Sequence, residues 1–180
     1  MPPQLLSVRP VEDFDRDWLR ETLTQLGQLR IISRGRLTED AASLEGFVAE
    51  RGGTKVGYAL TRIARDELEV VALQAPTRWE GIGTALLAAA ADEARQAGCA
   101  RAWLITTNDN LDAVRFYQRR GWDLTALHRD AVTSGRRLKP ELPEVGTTGF
   151  RSGTSSSSSF VFQLDITRVI VRPDFGRELD

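Results

Sequence analysis

The sequence predicts a mixed α/β domain, and three observations carry that expectation. The run Arg78-Trp79-Glu80-Gly81-Ile82-Gly83-Thr84-Ala85-Leu86-Leu87 joins a strand-like segment to an alanine-rich helix through a glycine turn. Short apolar or alternating segments, Glu67 to Leu73 and Arg101 to Thr106 among them, are interleaved with stretches of helical spacing. A chain of 180 residues can bury one good core and is most simply one domain.

Taken in order, Leu5 to Arg9 reads as a strand. Pro10 to Asp13 reads as the start of a helix carrying Phe14, Trp18, Leu19, Leu23 and Leu26 at helical spacing, ended by Gly27. A second short helix is expected from Thr38, whose hydroxyl would cap it ahead of Glu39 and Asp40. Gly46 to Glu50 and Val56 to Arg65 flank Arg51-Gly52-Gly53-Thr54-Lys55, a hairpin connection, and Glu67 to Leu73 is the third strand of that meander. Ile82, Ala85, Leu86, Ala89 and Ala90 form the apolar stripe of the next helix, which Gly98 ends. Arg101 to Thr106 follows as a buried strand, Asn110 caps a helix ended by Gly121, and Trp122 to His128 is a further strand.

The glycine turn is suited to an anion. A helix start carries backbone N–H groups without intrahelical partners and the positive end of the helix dipole, so a phosphate placed there is stabilised by both. Gly81 and Gly83 lack the Cβ that would hold a phosphate away, and Arg78 adds a permanent positive charge. Two commoner phosphate loops are excluded: no lysine follows Gly83 as a P-loop requires, and Leu86 stands where a dinucleotide fingerprint has its third glycine.

The run instead resembles the [QR]xxGx[GA] acyl-CoA signature of the GNAT acyltransferase superfamily, as Arg78, Gly81 and Gly83 after the strand Leu68 to Leu73. Asn110-x-x-Ala113-x-x-Phe116-Tyr117-x-x-x-Gly121-Trp122 resembles the same superfamily's downstream NxxAxxFYxxxGF helix, in the expected order, so the likeness covers Glu67 to Trp122. It implies the GNAT acyl-CoA N-acyltransferase fold, an α/β (α+β) architecture with a mixed, mostly antiparallel central sheet flanked by helices. It also implies an enzyme using acetyl-CoA as co-substrate. The expected reaction transfers an acetyl group to a primary amine of a small molecule or peptide by direct attack in a ternary complex. A non-catalytic acyl-CoA-binding remnant is the alternative.

The resemblance assigns residues to roles. Arg78, Trp79, Glu80, Gly81, Ile82, Gly83 and Thr84 would hold the pyrophosphate, with Val71 and Leu73 on the strand beside the thioester and the Leu73 N–H polarising its carbonyl. Asn108, Asn110, Ala113 and Tyr117 would line the pantetheine arm, and Tyr117 would protonate the leaving thiolate. The alternative for Phe116 and Tyr117 is packing against the sheet, over which the surrounding motif favours catalysis for Tyr117, and Asn110 is read first as an N-cap. Glu69 is the candidate base for the amine, with Glu67 pointing the same way two residues earlier; either reads equally as a solvated strand charge. One position departs from the family: close relatives usually have glycine where this chain has Trp79, which puts CoA affinity in question. Acceptor recognition is expected from Trp18, Arg34, Arg36 and the segment from His128 to Val145.

Composition bounds the rest. A formal net charge of −1 argues against nucleic-acid binding through bulk basicity. One cysteine, Cys99, permits no intramolecular disulfide and reads as a packed thiol; with His128 the only histidine, no tetrahedral His/Cys metal site assembles. No apolar run approaches membrane-spanning length and the N-terminus lacks a signal-peptide pattern, so a cytoplasmic protein without membrane or nucleic-acid partners is expected. A homodimer is compatible with the resemblance.

The segment after Thr147 breaks the pattern, and the domain is therefore read as residues 1–147 with an atypical tail over 148–180. Gly146 to Thr154 followed by the serines Ser155 to Ser159 has linker composition. Restoring one G to a GC-rich back-translation of residues 146–159 yields GTDGIPLRDELELE, which resembles the DGIPxRDExELE close of many related acyltransferases. The tail thus looks frameshifted relative to the family. In the fold the resemblance implies, a final strand inserts between two others, and Phe160 to Ile166 alternates well enough to replace it.

Overall fold

The computed structural model of the chain describes residues 5–76, 80–107, 110–128, 131–140 and 159–165. Strand β1 (Leu6–Pro10) leads through a 3-10 turn (Asp13–Asp15) into α1 (Arg16–Gln25). A small hairpin of β2 (Ile31–Ser33) and β3 (Arg36–Thr38) follows. The meander is β4 (Glu45–Arg51), β5 (Thr54–Ala64) and β6 (Glu67–Gln74), and α2 (Ile82–Gln96) then crosses to β7 (Arg101–Thr107). Next come α3 (Leu111–Gln118), β8 (Asp123–His128), the short α4 (Ala131–Gly135) and β9 (Ser159–Asp165).

Seven strands form one sheet in the order β1-β4-β5-β6-β7-β9-β8. Every pairing is antiparallel except β6 with β7, which are parallel because the α2 crossover returns the chain in the same direction. The expected mixed, mostly antiparallel sheet is therefore what forms. The strand inserted between β7 and β8 is β9, drawn from the atypical tail; Ile166, expected in the same strand, lies outside the described residues.

Side chains alternate between two covered faces. On the first, Val48, Tyr58 and Leu60 pack with Leu19 and Leu23 of α1. On the second, Ala49 and Ala59 meet Ile82 and Leu86 of α2, while Leu68, Val70, Ala102, Leu104 and Phe162 meet Ala90 and Ala94 of α2 and Tyr117 of α3. The alanines of α2 let that helix approach the sheet closely, as its composition implied.

Two local expectations are corrected. Helix α1 begins at Arg16, after the 3-10 turn, and Phe14 and Leu26 are exposed rather than core. Phe14 instead lies beneath the cations of Arg9 and Lys55, at 4.8 and 5.5 Å from its ring centre. No helix starts at Thr38, which ends β3; its hydroxyl accepts a hydrogen bond from Arg62 at 3.1 Å. The cap is Asp40, whose Oδ1 accepts from the Ala42 N–H at 3.1 Å and opens a 3-10 turn over Ala41–Ser43.

The β1–α1 junction is fastened by one fully buried carboxylate. Asp15 accepts from Arg9 at 2.6 and 3.0 Å and from the Glu12 N–H at 2.9 Å, with Lys55 Nζ 2.7 Å away. The Arg9 hydrogen bonds, opposed by burial and reinforced by Lys55, hold this carboxyl well below its ordinary value. A carboxyl shifted downward contributes stability above its unfolded pKa of about 3.8, and the contribution is lost as pH falls further. Asp15→Asn is expected to lower unfolding free energy by about 3 kcal/mol in urea titrations at neutral pH. The wild-type advantage should shrink below about pH 4, and a constant difference down to pH 2 would contradict this account.

Candidate functional site

The sheet opens at one place. Strands β6 and β7 pair from Glu67 with Arg101 to Val70 with Leu104, yet β6 continues to Gln74 and β7 to Thr107. On its other side β6 stays paired with β5 up to Gln74, with an irregularity that sets Leu60 opposite Ala72 and Thr61 opposite Val70. Val71 is therefore an extra residue in β6, a bulge that bends the strand away from β7. Two expected site residues, Val71 and Leu73, lie in this unpaired stretch, and the Leu73 side chain is ordinary core packed toward α2.

The start of α2 lies on the second face. Gly81 is its N-cap with φ +79°, a backbone conformation suited to glycine, and open space lies where a Cβ would project. Among the described residues no side chain caps this end; the first intrahelical bond is from the Ala85 N–H to the Gly81 carbonyl at 2.9 Å. The N–H groups of Ile82, Gly83 and Thr84 are thus the helix's orphan donors. Gly83 is also glycine for a packing reason that the motif did not announce. It is buried, and a Cβ there would meet the Phe116 ring at 2.9 Å, so its missing side chain makes room for α3. The Glu80 carboxylate is ion-paired with Arg51. Arg78 and Trp79 lie outside the described residues.

Helix α3 is capped by Asn110, whose Oδ1 accepts from the Ala113 N–H at 3.2 Å, and Ala113 packs against the core; Asn108 lies outside the described residues. Tyr117 is 8% exposed, edge-on to Phe116 at 5.3 Å and tilted against Trp122 at 6.4 Å and Phe162 at 5.5 Å. Its hydroxyl has no hydrogen-bond partner among the described residues, and burial pushes its pKa up to about 12. The sequence did not single out Arg120. Its Nε donates to Thr84 Oγ1 at 2.8 Å and its guanidinium stacks on Phe116 at 3.7 Å, so a cation stands at the first turn of α2. The Arg119-Arg120 pair inside the aromatic motif was the available signal, ambiguous with surface charge.

Glu69 is not beside Tyr117. Leu68 and Val70 face α2 and α3, so Glu69 between them faces the first side. There it is 6% exposed and accepts from Arg62 at 2.6 and 3.1 Å. Register sets Arg62, Glu69 and Trp103 in one row across β5, β6 and β7, one residue before the strands part. The β2–β3 hairpin overhangs this row, and together they line a half-open cavity of about 220 Å³ that also takes in Ser33, Arg34, Arg36, Ala64 and Glu67. Arg34 stacks on Trp103 at 3.9 Å. Arg34 and Arg36 thus reach the cavity, whereas Trp18 packs edge-on to Tyr58 at 6.0 Å in the core below α1.

Comparisons with known proteins agree with this fold. The profile of the acetyltransferase (GNAT) family matches residues 8–122. The uncharacterized protein YdhI of Bacillus subtilis (strain 168) is 43% identical over 107 residues, 59% of this chain and 67% of that protein. Among solved structures, the IAA acetyltransferase from Bacillus cereus ATCC 14579 superposes with a TM-score of 0.66 at 16% identity, covering 89% of this chain and 99% of that one. The structure of yncA, a putative acetyltransferase from Salmonella typhimurium with its cofactor acetyl-CoA, superposes at 0.63 with 18% identity, covering 96% and 99%. At those identities the structural likenesses show the fold.

Both tyrosines of the chain, Tyr58 and Tyr117, have pKa values raised by burial to about 12. A spectrophotometric titration at 25 °C should therefore show almost no tyrosinate in the folded protein below about pH 11. The stability these phenols contribute is full below about pH 10 and falls as pH rises toward 12. Ionisation of one tyrosine near pH 10 with the fold intact would refute the burial argument for that residue. Gly83→Ala should cost about 2 kcal/mol through its clash with Phe116, read from urea unfolding.

Proposed function

This chain belongs to the acetyltransferase (GNAT) family, and we propose that it transfers the acetyl group of acetyl-CoA to a primary amine of a small molecule or peptide, by direct attack within a ternary complex. The observation that carries the reading is the alignment of three features on one side of one opening in the sheet. These are the uncapped α2 start, the parted β6 and β7, and the buried Tyr117.

The donor brings an acyl group already activated as a thioester. Orphan N–H groups of Ile82, Gly83 and Thr84, with Arg120 and Arg78, supply positive potential for its pyrophosphate. Remote binding of that kind fixes the thioester relative to the strand end. The Leu73 N–H, in the stretch without β7 pairing, is the candidate donor to the carbonyl oxygen. The amine nitrogen forms the new C–N bond, the C–S bond breaks, a proton leaves the nitrogen for Glu69 or water, and Tyr117 delivers a proton to sulfur.

The proton inventory favours a dry cleft. At about 12, Tyr117 is a weaker acid than a free thiol of about 8.5, so donation at those values is uphill by about 5 kcal/mol. Burial raises a thiol in the same apolar surroundings as it raises the phenol, which narrows the gap. Glu69 reaches the opening from the other face, and its Oε1 has no partner among the described residues. A non-catalytic remnant was motivated by an altered terminal strand; β9 fills that slot, which favours the active reading.

A thiol-release assay across an amine panel, with calorimetry of acetyl-CoA, tests the proposal. Tyr117→Phe should lower kcat about 100-fold with little change in acetyl-CoA affinity; an unaltered kcat removes Tyr117 from the mechanism. Arg78→Ala and Arg120→Ala should each weaken acetyl-CoA binding about tenfold. Binding without thiol release from any amine would instead support the remnant.

A further inference from the structure

We propose that the cavity on the first face is the acceptor site, and that it takes a small amine carrying its own carboxylate, an amino acid or close analogue. This rests on reading the chain as an N-acetyltransferase and names the substrate class of that same site.

Position comes first. The Arg62, Glu69 and Trp103 row lies one register step before the β6 and β7 pairing ends at Val70 and Leu104. An amine held beside Glu69 is therefore at the mouth of the opening, on the face away from α2 and Tyr117. Donor and acceptor approach one gap from opposite sides, and neither blocks the other.

Charge selects the rest of the molecule. Glu69 is committed to Arg62 through one oxygen, and Glu67 is paired with Arg101 and lies 3.9 Å from Arg34. Arg36 has no ion-pair or hydrogen-bond partner among the described residues, so the cavity's guanidinium groups, Arg34, Arg36 and Arg62, outnumber its carboxylates. That excess disfavours a purely cationic amine and favours one bearing an anion. A planar guanidinium matches a carboxylate with two parallel hydrogen bonds. Glu69 is the carboxylate nearer the opening, Glu67 lies at the far end of the cavity near Arg34, and Arg34 and Arg36 stand on the overhanging hairpin. A zwitterion fits with its amine toward Glu69 and its carboxylate toward the hairpin.

One feature marks the cavity as built for a ligand. Ser33, 8% exposed, lines it with a buried Oγ that has no hydrogen-bond partner among the described residues. Such a group in a native fold calls for an explanation, and a polar ligand atom supplies one. Arg34 takes φ 47° because the two-residue turn it forms with Gly35 requires it, and that turn sets its guanidinium over Trp103 at the cavity wall. At about 220 Å³ the cavity is smaller than the usual 300–1,000 Å³ or so of drug-sized ligand sites, which suits a small acceptor.

The test compares each common L-amino acid with its C-terminal amide and its decarboxylated amine in the acetyl-CoA thiol-release assay. For the best acceptor, kcat/KM should favour the acid over its amide by at least about tenfold, although the amide's amine is the more readily deprotonated. Arg36→Gln, an exposed position that should leave the fold intact, should shrink that ratio about tenfold mainly by raising KM for the acid. An amide or simple amine used equally well, or a ratio untouched in the variant, overturns the proposal. If nothing is acetylated, the transferase reading fails. The cavity is then judged by calorimetry of N-acetyl amino acids against N-acetyl amino-acid amides with CoA present. Acid-only binding weakened by Arg36→Gln upholds the assignment, and equal or absent binding refutes it.

Discussion

Two parallel strands that share hydrogen bonds over Glu67–Val70 and then separate leave alternate backbone groups of the next residues facing a gap. A polar backbone group without a partner costs about 1–3 kcal/mol when it is kept from water. The gap must therefore be forced open by something that gains more elsewhere. The Val71 bulge turns β6, and Leu73 is then drawn into the apolar cluster of Ile82 and Leu86 rather than toward β7. Helix α3 cannot drift into the gap either, because Phe116 is seated against Gly83 at the start of α2. Bulge, helix start and aromatic contact hold one another, and the opening is their joint product.

The opening divides two chemical environments that a transfer reaction requires at once. On the second face Tyr117 is enclosed by Phe116, Trp122 and Phe162, and that burial raises its phenol's pKa. On the first face Glu69, Arg62 and Arg34 form a charged row over the same strands. Alternation along β6 keeps these apart, since Val70 and Glu69 are neighbours in sequence yet face opposite sides. The sheet acts as a septum one residue thick.

Most of the architecture was legible because it rests on local patterns. Alternation marked the meander, the alanine stripe marked α2, and Asn110 and Gly81 behave as their residue types dictate. The illegible parts are those decided by distant contacts. Thr38 looked like a helix cap because its competitor, Arg62 on β5, is remote in sequence. The packing role of Gly83 went unread because nothing local announces that Phe116 needs its space. The bulge at Val71 left no trace in composition, being a register mismatch between two strands. The hairpin of Arg34 and Arg36 escaped because Arg34-Gly35 is an unusual pair for a tight turn, where asparagine or aspartate is favoured at the first position.

Strand β8 pairs only with β9 among the described residues, and β9 also supplies Phe162 to the wall around Tyr117. During synthesis the whole meander, α2 and β7 can emerge and fold before residues 159–165 leave the ribosome. Until then β7 presents a bare edge of hydrogen-bonding groups beside an unpaired β8, the kind of surface on which nascent chains pair with one another. Insertion of β9 is a long-range event with a large loop to close, so it belongs to the slow end of folding. The nascent protein thus passes through a window in which a nearly complete domain is adhesive, and a chaperone's occupancy of that edge would govern the yield of finished molecules.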